Sequence, residues 1–180
     1  MPHQVLVAYA TRFGSTAETA QFVAETLRDR GFTVECRPAS EIASLDSYEA
    51  VVLAAALYMG KLHREARHFL ETHQESLRTM PVALLVPGPI ETREKDWHSA
   101  HQQLEKQLAR YPWLKPIACQ VVGGTFDPKR LGFPWKIIPA LHKAPVADAR
   151  DWNAIRDWAA ALAGTLQDAS MERGSPAVSR

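Results

Sequence analysis

The segment Ala10-Thr11-Arg12-Phe13-Gly14-Ser15-Thr16-Ala17 carries three hydroxyls, one glycine, one arginine and no acid. It lies between a short apolar run and the first helical pattern. Free backbone N–H groups at a helix start, hydroxyl donors and the positive end of the helix dipole together make a cradle for a phosphate. The plainer alternative is an N-cap supplied by Ser15 or Thr16, but a cap needs a single hydroxyl and this loop has more. Other phosphate chemistries lose support. The sequence contains no G-x-x-x-x-G-K-[ST], and no G-x-G-x-x-G follows the first apolar run. A phosphate-accepting receiver would need carboxylates at the ends of the first and third strands, where this chain has Tyr9-Ala10 and Ala54-Ala55-Ala56.

A second chemical feature is the stretch from Pro128 to Ala147, which has no acid but contains Lys129, Arg130, Lys136 and Lys143. Phe133, Trp135, Ile137, Ile138 and Leu141 are interleaved with these cations. Such a stretch can lie on an anionic membrane or grip an acidic substrate. Lys129, Arg130, Trp135, Lys136 and Lys143 are therefore candidate substrate or membrane contacts. Pro134, Pro139 and Pro145 break any single long helix, and the competing reading is a connector that packs its aromatics on the sheet edge.

The histidines do not predict a metal. His63, His68 and His73 are spaced by about 140° per step on a helix and share no face. His98 and His101 could share one, but no third ligand lies near them in sequence. His73 and His101 fall on apolar stripes and read as satisfied residues at the core edge. His63 is the one candidate catalytic residue. If its helix starts at the loop after the third strand, it can relay protons there, although a surface histidine at a helix start is the simpler reading.

The elements that must position these groups follow from periodicity. Apolar runs at Gln4 to Tyr9, Phe32 to Arg37, Ala50 to Ala56, Val82 to Val86 and Pro116 to Gly123 are continuous rather than alternating, as in strands covered on both faces. Between them, Ala20, Val23, Ala24 and Leu27 form a helical stripe stopped by Gly31. Ala66, Phe69, Leu70, His73 and Leu77 form another, ended by Pro81. Trp97, Ala100, His101, Leu104 and Leu108 form a third. Trp152, Ile155, Ala159, Leu162 and Leu166 form the last, with Asp148 or Asp151 as its N-cap. Ala39 to Asp46 has room for a helical turn or two. Strands alternating with helices imply right-handed crossovers and a five-stranded parallel sheet with helices on both faces. Ligands of such sheets bind at the carboxyl ends of the strands, so the loops after strands one, three, four and five carry the site. Residues 1–166 read as one domain and 167–180 as a flexible tail.

Composition narrows the function classes. The chain has 180 residues, 46% hydrophobic and 23% charged, which suits one globular domain. Lys plus Arg (21) against Asp plus Glu (20) gives a formal charge of +1, too weak a field for a dedicated nucleic-acid binder. No apolar run is long enough to span a membrane, and the N-terminus lacks the basic region of a secretory signal. Cys36 and Cys119, both within apolar runs, read as reduced thiols borne on strands of a cytoplasmic protein.

Thr11-x-x-Gly14-x-Thr16 after the first strand resembles the T-x-T-G-x-T phosphate loop of flavodoxins. Thr11-Arg12-x-Gly14-x-Thr16, with Ala55 to Gly60 and Gly60-x-x-His63, is similar to one branch in particular: the flavodoxin-like, menaquinone-dependent protoporphyrinogen oxidases of bacteria. Met80-Pro81, the basic aromatic stretch and Asp151-Trp152 extend the likeness over residues 4 to 166. The resemblance implies a flavodoxin-like three-layer sandwich of strand order 2-1-3-4-5. It also implies an FMN whose phosphate sits on Thr11, Arg12, Phe13, Gly14, Ser15 and Thr16. The isoalloxazine would lie between Leu57, Tyr58, Met59 and Gly60 on one side and Pro87, Gly88 and Pro89 on the other, with Gly124, Thr125 and Phe126 added by the loop after the fifth strand. An aromatic and a thioether at Tyr58 and Met59 suit a flat apolar ring, and Gly60 could flip its peptide towards the flavin N5. The family tends to place an aromatic directly before that glycine; here the position is Met59. The implied partners are a quinone and a small aromatic substrate, met at the inner face of the cell membrane by a peripheral cytoplasmic protein. The main rival is a flavodoxin electron carrier that docks on a protein redox partner. Carriers are typically acidic, and this chain is not. An apo interaction protein, or a reductase fed by NAD(P)H, are further alternatives.

Overall fold

The computed structural model describes residues 4–58, 60–90, 93–130 and 145–174. Met59, Trp135, Lys136 and Lys143, for which site roles are expected above, lie outside the described residues.

Five parallel strands make the central sheet: β1 (Gln4–Ala10), β2 (Thr33–Pro38), β3 (Ala50–Ala55), β6 (Val82–Pro87) and β7 (Ala118–Val122). Their order is β2-β1-β3-β6-β7, the expected 2-1-3-4-5 once two short strands outside the sheet are set aside. The middle strands β3 and β6 are buried at every residue, whereas β2 and β7 at the edges are only partly covered. That is why the middle strands read as unbroken apolar runs. Alternate residues face opposite layers. Leu6, Val51, Leu53 and Leu84 pack with Phe69, Leu70 and Leu104 on one side. Val5, Val7, Val52 and Leu85 pack with Val23, Leu27, Ile155 and Leu162 on the other.

The helices supplying those layers are α1 (Ser15–Asp29), α2 (Arg64–Thr72), α3 (Gln74–Thr79), α4 (Glu94–Leu108) and α5 (Trp152–Gly174). At the end of α1, Gly31 takes φ 90°, and its N–H donates to Arg28 O while Phe32 N–H donates to Leu27 O. The expected stop is therefore a left-handed glycine cap. Asp151 caps α5: its Oδ1 accepts from the N–H groups of Asn153 and Ala154, both at 3.0 Å.

Two helices depart from their periodicity, and His101 departs from its expected burial. The stripe from Ala66 to Leu77 is two helices, parted at His73, which leaves helical geometry (φ −104°, ψ 20°) and bonds its Nε2 to Ile42 O at 3.2 Å. A side chain tied to a distant carbonyl fixes the break, and periodicity does not register it. His73 is buried as expected, but His101 is exposed, its Nδ1 within 2.8 Å of Trp97 O. The last helix does not end at Leu166 but continues to Gly174. Its buried stripe stops at Leu166, and the described side chains beyond it, up to Met171, are exposed or half-buried. The stretch from Ala39 to Asp46 holds a single 3₁₀ turn, Ala39–Glu41. Cys36 and Cys119 are free thiols on the two edge strands.

Candidate functional site

The first crossover loop runs from Thr11 into α1. Gly14 occupies the N-cap in the left-handed region (φ 86°, ψ −17°), and no side chain caps the helix. This disposes of Ser15 or Thr16 as a simple cap. Instead the Thr11 hydroxyl accepts the Gly14 N–H at 2.9 Å and ties the loop into a tight turn. The first N–H bonded within the helix is that of Glu18, to Gly14 O at 3.2 Å. The N–H groups of Ser15, Thr16 and Ala17 consequently have no partner among the described residues. Thr16 is fully buried, yet its Oγ1 also lacks a partner. Buried polar groups are rarely left unpaired. Unpaired donors at the positive end of a helix, in a loop with no acid, fit an oxyanion such as a phosphate.

This arrangement yields a discriminating prediction. Thr16→Val replaces the orphaned hydroxyl with a methyl of similar shape, so stability of the ligand-free protein should stay the same or rise slightly. Affinity for a phosphate-bearing ligand should fall by about tenfold or more. Thermal melts without ligand and an FMN titration read the two effects separately.

The loop after β3 folds as a hairpin that the sequence did not announce. Strand β4 (Leu57–Tyr58) pairs antiparallel with β5 (Lys61–Leu62). Gly60 turns it at φ 75°, a conformation that L side chains rarely adopt. Tyr58 projects against Phe13 of the first loop, with ring centroids 6.5 Å apart, and against His63 at 5.8 Å. Burial pushes the Tyr58 phenol pKa up, partly opposed by Arg12.

His63 is the N-cap of α2, its Nδ1 accepting from Glu65 N–H at 3.4 Å. It is thus at a helix start, but mostly buried. Burial lowers its pKa; Glu65 opposes this, while Arg12, Arg64 and Arg67 reinforce it. The imidazole is therefore neutral at physiological pH.

The loops after β6 and β7 are stitched together by backbone. Gly88 N–H donates to Val122 O and Gly124 N–H to Pro89 O, both at 2.8 Å. Strand β8 (Thr125–Phe126) pairs antiparallel with β9 (Ala147–Asp148), and Ala149 N–H donates to Gly124 O at 2.9 Å. Two hollows result. One, of about 250 Å³, has Leu57, Gly88 and Pro89 on its wall with Ser99 and Gln103 of α4. The other, of about 20 Å³, separates Phe13 and Ser15 from Thr125, Phe126 and Arg130. The expected residues after strands one, three, four and five thus converge at one end of the sheet.

Lys129 and Arg130 end a 3₁₀ turn, Pro128–Arg130. Arg130, although exposed, is tied to the start of α1. Its Nη1 meets Glu18 Oε1 at 2.5 Å and lies 3.9 Å from where a Cβ on Gly14 would be. Arg150 reaches the same carboxylate at 2.8 Å and Asp148 Oδ2 at 2.6 Å, so Glu18 clamps β8–β9 to the first turn of α1. Nothing in the sequence pairs residues so far apart. Hydrogen bonds from Arg150 hold the carboxyl pKa values of both Glu18 and Asp148 below their ordinary range. A depressed carboxylate pKa adds stability above the unfolded-state pKa that is lost as pH falls through the folded one. Melting temperature should therefore drop between about pH 5 and pH 3, and Arg150→Ala should flatten that drop.

A parallel sheet of this order, with a phosphate-type loop after its first strand and the other crossover loops gathered beside it, defines a flavodoxin-like protein. The family profile described as "Flavodoxin domain" matches residues 6–144, and the chain belongs to that family. Membership implies a flavin cofactor, which the unpaired donors of the first loop fit. The protoporphyrinogen IX dehydrogenase [quinone] of Escherichia coli strain K12 is 26% identical over 124 residues, covering 67% of this chain and 68% of that protein. In structure the chain is similar to a flavodoxin mutant from Pseudomonas aeruginosa (TM-score 0.59, 13% identity, 91% of this chain and 99% of that one). It is also similar to oxidised flavodoxin 1 from Bacillus cereus (TM-score 0.57, 13% identity, 92% and 97%). Among the described residues no group of His, Cys, Asp and Glu could hold a metal ion, and no helix is long and apolar enough to cross a membrane.

Proposed function

We propose that this chain is an FMN-dependent oxidoreductase that takes electrons from a porphyrinogen-type aromatic substrate and passes them to a quinone. The observation carrying this reading is the loop of unpaired donors in a chain whose curated relative is named a quinone-dependent protoporphyrinogen IX dehydrogenase. Thr11, Arg12, Phe13, Gly14, Ser15 and Thr16 would hold the FMN phosphate, Thr16 through its orphaned hydroxyl. Leu57, Tyr58, Met59 and Gly60 would flank the ring opposite Pro87, Gly88 and Pro89, with Gly124, Thr125 and Phe126 closing the third side. Bound flavin supplies an oxidant for the substrate and a reductant for the quinone.

The protein's own groups bind, orient and exclude water. Tyr58, braced between Phe13 and His63, presents an aromatic wall. His63 is the proton-relay candidate: neutral, it releases a proton from Nε2 and accepts one at Nδ1, where the bond from Glu65 N–H is long at 3.4 Å.

A second reading, an electron carrier, draws on the flavodoxins among its structural neighbours. A formal charge of +1 gives it no field to steer docking on a basic reductase, which favours the enzyme. An anaerobic titration of FMN-loaded protein with protoporphyrinogen IX, then menadione, separates the two. Bleaching of the flavin band by the substrate and recovery with the quinone are expected. A flavin that stays oxidised and yields only to a protein reductase would establish the carrier.

A further inference from the structure

Next to Tyr58 lies a cavity of about 440 Å³ that shares Arg12, Tyr58 and His63 with the site described above and extends over the hairpin and the start of α2. Arg12 from the first loop, Lys61 from the hairpin, and Arg64 and Arg67 from the first turn of α2 line it. Tyr58, Leu62 and His63 also line it, and among the described residues no Asp or Glu does. Four guanidinium or ammonium groups thus converge where the positive end of α2 adds to their field. Such a concentration of like charge costs free energy unless an anion offsets it.

Two of the four charges have no counter-charge among the described residues. Lys61 and Arg64 make no hydrogen bond or ion pair among the described residues, and both are exposed. Arg67 is positioned by its Nε, which donates to Leu62 O at 3.2 Å. The nearby acids Glu65 and Glu71 are not among the residues that line the cavity. Glu65 sits at 4.0 Å from His63 Nδ1, and Glu71 lines an adjoining hollow with Arg64, Arg67 and His68. His63 adds no charge, and an aromatic ring and a leucine supply the apolar floor. Cations beside an apolar floor suit a flat apolar body carrying carboxylates.

We infer that the cavity lined by Lys61, Arg64 and Arg67, which borders the phosphate loop at Arg12, is the docking site for the carboxylate arms of the aromatic substrate. The inference rests on the proposed substrate class and moves the acid-binding role from the basic stretch around Lys136 and Lys143 to the hairpin and the start of α2. The exposed pair Lys61 and Arg64 sets the preference for carboxylates, while Arg67, tied to Leu62, keeps the hairpin in place.

The test is equilibrium binding to FMN-loaded protein, read by porphyrin or pyrene fluorescence without turnover. Three probes are compared: protoporphyrin IX, its dimethyl ester, and 1-pyrenebutyrate as an aromatic carboxylate unrelated to porphyrins. Wild type should prefer the diacid over the diester by at least about tenfold, and Lys61→Glu/Arg64→Glu should lose that preference while keeping wild-type FMN affinity. Pyrenebutyrate should follow the same pattern. If the double variant binds the diacid as tightly as wild type, the cavity is not the carboxylate site, although the porphyrinogen reading stands. If pyrenebutyrate binds through the cavity and porphyrin does not bind at all, the anion site stands and the porphyrinogen reading falls. Binding of neither probe overturns both.

Discussion

FMN affinity should fall at least about a hundredfold when Gly14 is replaced by valine, with the fold retained. Gly14 is the N-cap of α1 at φ 86°, ψ −17°. A β-branched residue there costs about 1–3 kcal/mol of backbone strain. Space is not the obstacle, since the nearest atom to an added Cβ is Arg130 Nη1 at 3.9 Å. Strain is relieved by rotating the flanking peptides, which re-aims the N–H groups of Ser15 and Thr16 and breaks the bond from Gly14 N–H to Thr11. Several donors to one phosphate are lost together, which multiplies the effect. Quenching of flavin fluorescence measures the affinity and circular dichroism the fold. A variant that binds FMN like wild type would remove the loop from the site.

The largest effect on stability is expected at Gly123. A Cβ on this residue would lie 1.8 Å from Ala149 O and 2.3 Å from Ala149 C, both backbone atoms that cannot swing aside. Gly123→Ala must therefore separate β7 from the strand β9 connection, at a cost of about 3 kcal/mol or more. The same rupture loosens Gly124, whose N–H bonds Pro89 O, so the wall that would face the flavin ring opens as well. A denaturant midpoint well below wild type, with FMN binding weakened, is the expected outcome. A midpoint within experimental error of wild type would mean that the two backbones do not meet in this way.

The parallel sheet was legible because each strand buried on both faces spells itself as a continuous apolar run, as Ala50–Ala55 and Val82–Pro87 do. The first loop was legible because three hydroxyls, a glycine and no acid at a helix start have a local meaning. What the sequence concealed depends on long-range contacts. The hairpin Leu57–Leu62 consists of two-residue strands, too short for any period. Strand β9 pairs with β8 across the basic stretch, and Arg150 meets Glu18 only after the chain has crossed the sheet. His73 breaks a regular stripe because of a carbonyl at Ile42. Arg64 and Arg67 meet Arg12 only because the fold sets the first loop beside α2, which no local spacing encodes.

In the proposed function the first loop recognises a flavin through its phosphate. The most direct measurement is a parallel titration of the flavin-free protein with FMN and with riboflavin, which differ by that phosphate alone. FMN should bind at least about a hundredfold more tightly, because riboflavin leaves the Thr16 hydroxyl and the first-turn N–H groups of α1 without their anion. Equal affinity for the two flavins, or no binding of either, would contradict it.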